Sequence, residues 1–576
     1  MVGKIIAKSR KIFTDPQQSV LSAASVIMLM TVASRVLGLV RQRTLAHFFA
    51  PDELSLFFAA FRLPDTIFEV LVFGTFSSAF IPVFTKTLKD GPSAAWKIAG
   101  RVVNIGLVIF AILAIIATLF ADRIYSVVAP GFDASQRAQI VSVARILFAS
   151  QGFFVVSYVL TGVLESLRRF MIPALAPLFY NLGIIFGTII LFPKLGLFAP
   201  VAGVIVGAFS HFLVQLPLAS KLGFRFVGSF KPTKHVKEIG RLALPRIIEL
   251  SFLQISKTAE LFLSSLISIA AYTYFTFGNT LQLLPVGLFG ISIAKAALPT
   301  LSRQSDSPKD FSYTLLSSLY QIVFLVLPIA TILIVLRIPI VRLVYGTEIF
   351  SWEATVQTGM VLSAFAVGVV FQAASSLLAR GFYALSDTKT PVLISITSIV
   401  LVVTASFVLI LGFSLPVWGL AAAFTLGSFF QAILLFYLIN RKTLGKFSFQ
   451  LLTPIFKSGI AALGAGSVMF LLLKIFDRSV WVKRLSFLGA IESTRYIAFE
   501  KFVLDTRYTI NLLILTIVVS VVGGVVYLGI SLLLRNREVY TFAKLIKRVF
   551  IKRRVSPIPK EEPEPVAPTP TDTAGT

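Results

Sequence analysis

The sequence predicts an all-α polytopic membrane protein of about fourteen transmembrane helices, arranged as two six-helix lobes in parallel repeat plus two C-terminal helices. Three observations predict it. Hydrophobic residues make up 56% of the 576 and charged residues 14%, against roughly a quarter charged in soluble domains. Apolar runs long enough to cross hydrocarbon, about 17–25 residues each, recur along nearly the whole chain. The runs are continuous rather than alternating. Lipid satisfies no backbone N–H or C=O, so continuous spans must be helices.

Taken in order, residues 1–19 form a basic N-terminal segment. Spans follow at 20–48, 53–86, 97–120, 138–167, 172–193 and 199–220, then 240–267, 270–301, 312–336, 354–385, 390–412 and 416–440, and finally 452–475 and 509–534. The stretches 53–86 and 354–385 exceed the bilayer thickness and are expected to tilt or protrude. Orientation follows from Lys and Arg. One set of connections holds Lys4, Lys8, Arg10 and Lys11, then Lys86 and Lys89, Arg168 and Arg169, Lys221 and Arg225, Arg303 and Lys309, and Arg441 and Lys442. The alternate set is poor: Lys194 alone near Pro193, almost nothing around residue 268 and nothing near Ser414. An even span count with both termini in the cytoplasm fits this asymmetry. The exception is 476–508 within the 452–534 unit, read as an extracytoplasmic insertion despite Arg478, Lys483, Arg484, Arg495 and Lys501. Long loops weigh less in the rule, and the segment suits an interfacial amphipathic helix. Beyond the last span, 535–554 is strongly basic and predicts a cytoplasmic helix on anionic lipid. Residues 555–576 are rich in Pro, Glu and Thr, carry no core-forming pattern, and are expected to be disordered.

An internal repeat is visible. LRRFMIPAL, with Pro173, reappears as LSDTKTPVL, with Pro391, at an offset of 218. FGTFSSAFIP ends at Pro82 and FGISIAKAALP at Pro299, an offset of 217. Val201-Ala202-Gly203 recurs as Val417-Trp418-Gly419, offset 216. Three near-equal offsets predict lobes at 20–220 and 240–440. An even number of helices per lobe gives both the same sense, related by an axis along the membrane normal, with the substrate path between them.

Ionisable side chains at bilayer depth cost roughly 2.5–3.5 kcal/mol each and mark function by default. The first span supplies Arg35, after the small Ala33 and Ser34, and Arg41. The second carries Arg62, Asp65 and Glu69 at i, i+3 and i+7, one stripe that either neutralises itself or contacts substrate. The seventh carries Arg246, Glu249, Lys257 and Glu260, two i, i+3 pairs; Lys295 and Arg380 complete the set. The run of Phe57, Phe58, Phe61, Phe68, Phe73, Phe76 and Phe80 reads as packing or lipid-facing lining rather than a ligand cage. Net charge is +27; in a membrane chain this points to topology and anionic headgroups, with no nucleic acid partner. There is no Cys, and His47, His211 and His235 stand far apart, so no thiol chemistry or metal centre is expected. No nucleotide-binding loop or triad appears, so neither catalysis nor a cofactor is expected.

The segment Ser34 to Phe84, SRVLGLVRQRTLAHFFAPDELSLFFAAFRLPDTIFEVLVFGTFSSAFIPVF, resembles the opening signature of the MurJ (MviN) family of lipid II flippases. That family lies within the larger group of multidrug, oligosaccharide-lipid and polysaccharide exporters. RFMIPALAP at 169–177, LPTLSR at 298–303 and GFYALSDTKTPV at 381–392 add to the likeness. The resemblance implies fourteen helices in the bacterial inner membrane. It also implies outward movement of the undecaprenyl-pyrophosphate-linked peptidoglycan precursor, lipid II, by alternating access between two lobes, in service of cell-wall synthesis. Ser34, Arg35 and Arg41 match the family's functional first-helix positions, and Arg62 stands where it has Lys or Arg. Departures are substantial: Ser55 replaces an acid, Phe68-Glu69 a basic pair, Phe73 an acid, and Asn279-Thr280 an Asp-Arg pair. The expected substrate-binding set is therefore Ser34, Arg35, Arg41, Arg62, Asp65 and Glu69, with Arg246 and Lys257 replacing some of the lost charge. The departures leave two alternatives: an exporter of another polyprenyl-linked glycan, and a non-transporting scaffold that recruits cell-wall synthesis proteins.

Overall fold

The computed structural model describes residues 20–73, 79–226, 228–231, 233–444, 449–476 and 509–543; within them, the side chains of 20–28, 73, 245, 246, 444 and 449 are not described. The predicted N-terminal segment, the 476–508 insertion beyond Phe476 and the 555–576 tail lie outside the described residues. Of the predicted 535–554 helix, residues 537–543 are helical and the part from 544 lies outside the description.

Every predicted span coincides with a long helix. In the first half these are α1 (Val20–Phe48), α2 (Pro51–Phe68) and α3 (Ile81–Asp90) within the second span, and α4 (Pro92–Leu119). A short α5 (Ala121–Val128) precedes α6 (Ala134–Ser166), α7 (Met171–Leu195) and α8 (Phe198–Lys221). The second half repeats the order: α9 (Lys234–Ile267), α10 (Ala271–Pro285) with α11 (Ser292–Arg303), α12 (Pro308–Val335), short α13 (Arg337–Tyr345), α14 (Trp352–Ala384), α15 (Lys389–Phe407) and α16 (Trp418–Leu444). The pair α17 (Thr453–Phe476) and α18 (Thr509–Leu533) follows. Among the described residues, eleven spans are long and apolar enough to cross a membrane. Three long helices stand outside that count, α1, α2 and α9; α1 carries Arg35 and Arg41, α2 and the turn after it Arg62, Asp65 and Glu69, and α9 Lys257 and Glu260.

The sequence repeat extends to backbone detail. Helices α6 and α14 are each 33 residues long and begin 218 positions apart, capped by the side chains of Asp133 and Ser351. Both then end on a left-handed residue, Arg168 (φ 58°) and Ser386 (φ 59°). The amides of Arg169 and Asp387 reach back to the carbonyls of Leu164 and Phe382 at 2.8 and 2.9 Å, closing the same terminal turn. The Lys442 ammonium hydrogen-bonds Asp387 at 2.9 Å and holds its carboxyl down at about 2. π turns at Glu69–Phe73 and Val286–Ile291 also correspond. Pro285, which has no N–H to give, stands directly before the second. The sequence reading missed α5 and α13, placing both in connections; each is too short to show a membrane-length apolar run.

Small residues set the closest contact. Gly183 and Gly187 of α7 meet Gly207 and Gly203 of α8 so tightly that a Cβ on either would overlap the partner's Cα. Two antiparallel backbones thus touch directly, the packing that small-xxx-small spacing allows in lipid. A buried cluster joins the halves at one end of the bundle, with Leu45, Phe49 and Leu54 from the first and Phe277, Tyr345 and Phe350 from the second.

Candidate functional site

A polar ladder crosses from α2 to α9. Arg62, 7% exposed, donates to Thr66 Oγ1 at 2.7 Å from Nη2 and to Gln254 Oε1 on α9. Gln254 Nε2 in turn donates to Glu69. Lys257 Nζ stands 2.8 and 3.1 Å from the two Glu69 oxygens. Positions 62, 66 and 69 share one face of α2 because the helical period brings i, i+4 and i+7 together, and 254 and 257 are neighbours on α9. Every charge in the ladder therefore meets a partner inside the bundle, which offsets part of the cost of burial.

Beside the ladder lies a cavity of about 510 Å³. Arg41, Gln42, Asp65, Glu69, Gln151 and His211 line it, with aromatic rings from Phe57, Phe58, Phe61, Phe68, Phe154, Tyr158, Tyr180 and Tyr272. Asp65 Oδ1 accepts from Gln151 Nε2 at 2.7 Å. His211 Nδ1 is 2.6 Å from Ser157 Oγ, so the ring is fastened within the first half. No group of three or more His, Asp or Glu with metal-binding geometry occurs among the described residues.

One end of the seam is closed by hydrogen bonds between the halves. Gln42 Nε2 donates to Thr280 at 2.8 Å, and the Tyr345 hydroxyl donates to Gln42 Oε1 at 2.7 Å. Arg43 donates to the carbonyls of Leu343 and Val344 at 2.7 and 2.9 Å, a cation at the C-terminal end of α13 where the helix dipole is negative. Ser55 and Thr273 join by their hydroxyls at 2.9 Å, and Thr347 donates to the carbonyl of Ala46 at 2.8 Å. These contacts involve the 48–51 and 336–351 connections and the neighbouring turns of α1, α2 and α10.

The family model described as "Lipid II flippase MurJ" matches residues 44–491. The chain belongs to the MurJ family. It is 28% identical over 472 residues to "Probable lipid II flippase MurJ" of Thermotoga maritima, covering 82% of this chain and 94% of that protein. It is 26% identical to "Lipid II flippase MurJ" of Burkholderia cenocepacia, covering 72% and 82%. Among solved structures, "Lipid II flippase MurJ, inward closed conformation" superposes with TM-score 0.70 at 23% identity, over 90% of this chain and 99% of that one. An inward-facing multidrug resistance MATE transporter of the MOP superfamily shares the fold at TM-score 0.58 and 15% identity, over 72% and 95%.

In this MurJ-family chain the expected site residues separate into groups. Arg41, Asp65 and Glu69 line the cavity, and Arg62 and Lys257 reach it through the ladder. Arg35 lies elsewhere on the seam. Its Nη1 donates to the Leu283 carbonyl at 3.2 Å, and its guanidinium lies against Gly287, where a Cβ would stand 2.7 Å from Cζ. Ser34 is half-buried on α1. The Arg246 side chain lies outside the described residues. Lys257 pairs across the seam with Glu69 rather than with Glu260 of its own helix, whose carboxylate is 3.4 Å from Ser256 Oγ. Lys295 is exposed, and Arg380 donates to Ser376 of its own helix at 3.0 Å. Phe57, Phe68 and Phe80 are buried in the core, and Phe58 and Phe61 pack against it, as the packing reading expects; Phe57, Phe58, Phe61 and Phe68 also border the cavity, and the side chains of Phe73 and Phe76 are outside the description. Sequence reading missed Gln42, Gln151, His211 and the tyrosines, which lie on helices without a charged stripe. Ser55 and Thr280 each take part in a neutral hydrogen bond across the seam.

Proposed function

We propose that this chain flips lipid II, the lipid-linked peptidoglycan precursor, from the inner to the outer leaflet of the bacterial inner membrane, its two halves rocking about the seam. The observation that carries this is a polar, charge-bearing cavity between two structurally repeated halves in a chain of the MurJ family. The Lys and Arg asymmetry supports a cytoplasmic position for both termini. With that orientation the hydrogen-bonded end of the seam faces outward, and the cavity receives the headgroup from the cytoplasmic side. Arg41 attracts the pyrophosphate: a guanidinium stays protonated and binds phosphate oxygens in pairs. The prenyl chain stays in lipid, where each buried methylene is worth about 0.8 kcal/mol. Opening the outer end then breaks the Gln42, Arg43 and Ser55 contacts, and the headgroup leaves by that side. The basic residues 535–554 rest on anionic lipid at the cytoplasmic face.

Headgroup translocation in proteoliposomes tests this, with lipid II compared against an unrelated prenyl-linked sugar. Lipid II is expected to cross, and Arg41→Ala to slow it at least about tenfold, the weight of one charge-assisted contact. Equal transport of both lipids would favour export of another polyprenyl-linked glycan. Absence of any transport would remove the flippase reading.

A further inference from the structure

The first-half wall of the cavity has its own chemistry, distinct from that of Arg41. Gln151 is 4% exposed and lines the cavity. Its Nε2 donates to Asp65 Oδ1 at 2.7 Å. A carboxylate accepts, so this bond fixes which way the amide faces. The amide oxygen is then buried without a donor among the described residues. An unsatisfied buried carbonyl is unfavourable, and at a cavity wall a ligand donor relieves that cost.

The surroundings of this acceptor are aromatic. Gln151, Phe154 and Tyr158 lie at i, i+3 and i+7 on α6, one face of the helix, and all three line the cavity with Asp65 and Phe68 of α2. Phe154 meets Tyr180 edge to face at 5.1 Å, and Tyr158 stacks on His211 at 5.9 Å and 20°. The wall thus offers an amide oxygen, a carboxylate and flat apolar faces. A phosphate would be repelled by Asp65 and Glu69. A sugar ring matches, because its hydroxyls donate outward while its C–H faces pack on aromatic rings.

We propose that Gln151, Asp65 and Tyr158 form a saccharide subsite that recognises the glycan of the lipid-linked substrate. Sugar hydroxyls donate to Gln151 Oε1 and to Asp65, the ring packs on Tyr158, and the pyrophosphate lies toward Arg41. The subsite rests on the flippase reading above and adds to it a basis for selecting the headgroup.

The test compares three undecaprenyl pyrophosphates in proteoliposomes: one bare, one bearing a disaccharide, and one bearing the disaccharide with its peptide. The readout is the ratio of disaccharide-bearing to bare initial rates, which cancels differences in the amount of active carrier. The full-length wild-type chain is expected to favour the disaccharide at least about tenfold, with or without the peptide. Gln151→Met and Tyr158→Leu are each expected to bring the ratio toward one; should the first variant fail to fold, the second carries the test. A ratio unchanged in the folded variants overturns the subsite while leaving flipping intact. So does a wild-type preference that appears only with the peptide, which would mean that its amine, not the sugar, meets the carboxylates. Wild-type chain that moves none of the three overturns the flippase reading itself, and the subsite with it.

Discussion

Lys257 and Glu69 show what a charged residue means when its partner is on another helix. On α9 alone, Lys257 is three residues from Glu260 and reads as a local pair; in the folded chain it joins Glu69 of α2 at 2.8 Å. Both side chains are about a third exposed, 33% and 28%, so solvent screening trims the pair to about 1 kcal/mol rather than the 3–5 kcal/mol of a fully buried one. Lys257→Met is expected to lower the melting temperature in detergent by a few degrees and to weaken transport. The exchange Glu69→Lys with Lys257→Glu is expected to recover part of both. A double-mutant cycle with no coupling would show that the two side chains act independently. That α2 and α9 hold charge was legible, because ions in apolar runs stand out. Gln151 was not: a neutral amide on a long apolar helix carries no such signal, and its role depends on Asp65 being 86 positions away in sequence and one hydrogen bond away in space.

At the scale of elements, helix existence followed from apolar length and helix contact from small residues. Gly183 and Gly187 recur at the four-residue spacing of Gly203 and Gly207, yet neither pair by itself says which helix it meets. The hairpin α7–α8 brings them together, with a bare backbone on both sides. Gly187→Val is expected to force the helices apart and to cost roughly 1–3 kcal/mol, as overpacking does elsewhere. Gly38→Ala is the control, since a Cβ there meets no atom within 4 Å, and is expected to be neutral or slightly stabilising. Thermal unfolding of purified protein in detergent measures both. Equal stability of Gly187→Val and wild type would mean that the α7–α8 contact is not tight. The short α5 and α13 remained hidden for the opposite reason: at 8 and 9 residues they lack the length that makes a membrane helix conspicuous.

For the whole molecule, closure of one end of the seam invites a direct test. The chain contains no Cys, so introduced pairs report without background. The hydroxyls of Ser55 and Thr273 are 2.9 Å apart, a separation from which two Cys side chains reach disulfide geometry. Ser55→Cys with Thr273→Cys is expected to cross-link under oxidation and to stop transport, with recovery on reduction; each single variant is expected to transport in both conditions. Undiminished transport by the fully cross-linked protein would exclude rocking about this seam.

Composition and the order of apolar runs determined by themselves that this chain is a bundle of membrane helices, and three sequence offsets near 217 announced that it is built twice. The opening motif announced its family. These properties are written locally or periodically, so they survive reading one residue after another. Which charges pair, which Phe rings line a cavity and which serines stitch the halves were decided by the tertiary fold. Hydrogen bonds and ion pairs act over about 3 Å, and only packing brings residues two hundred positions apart to that distance.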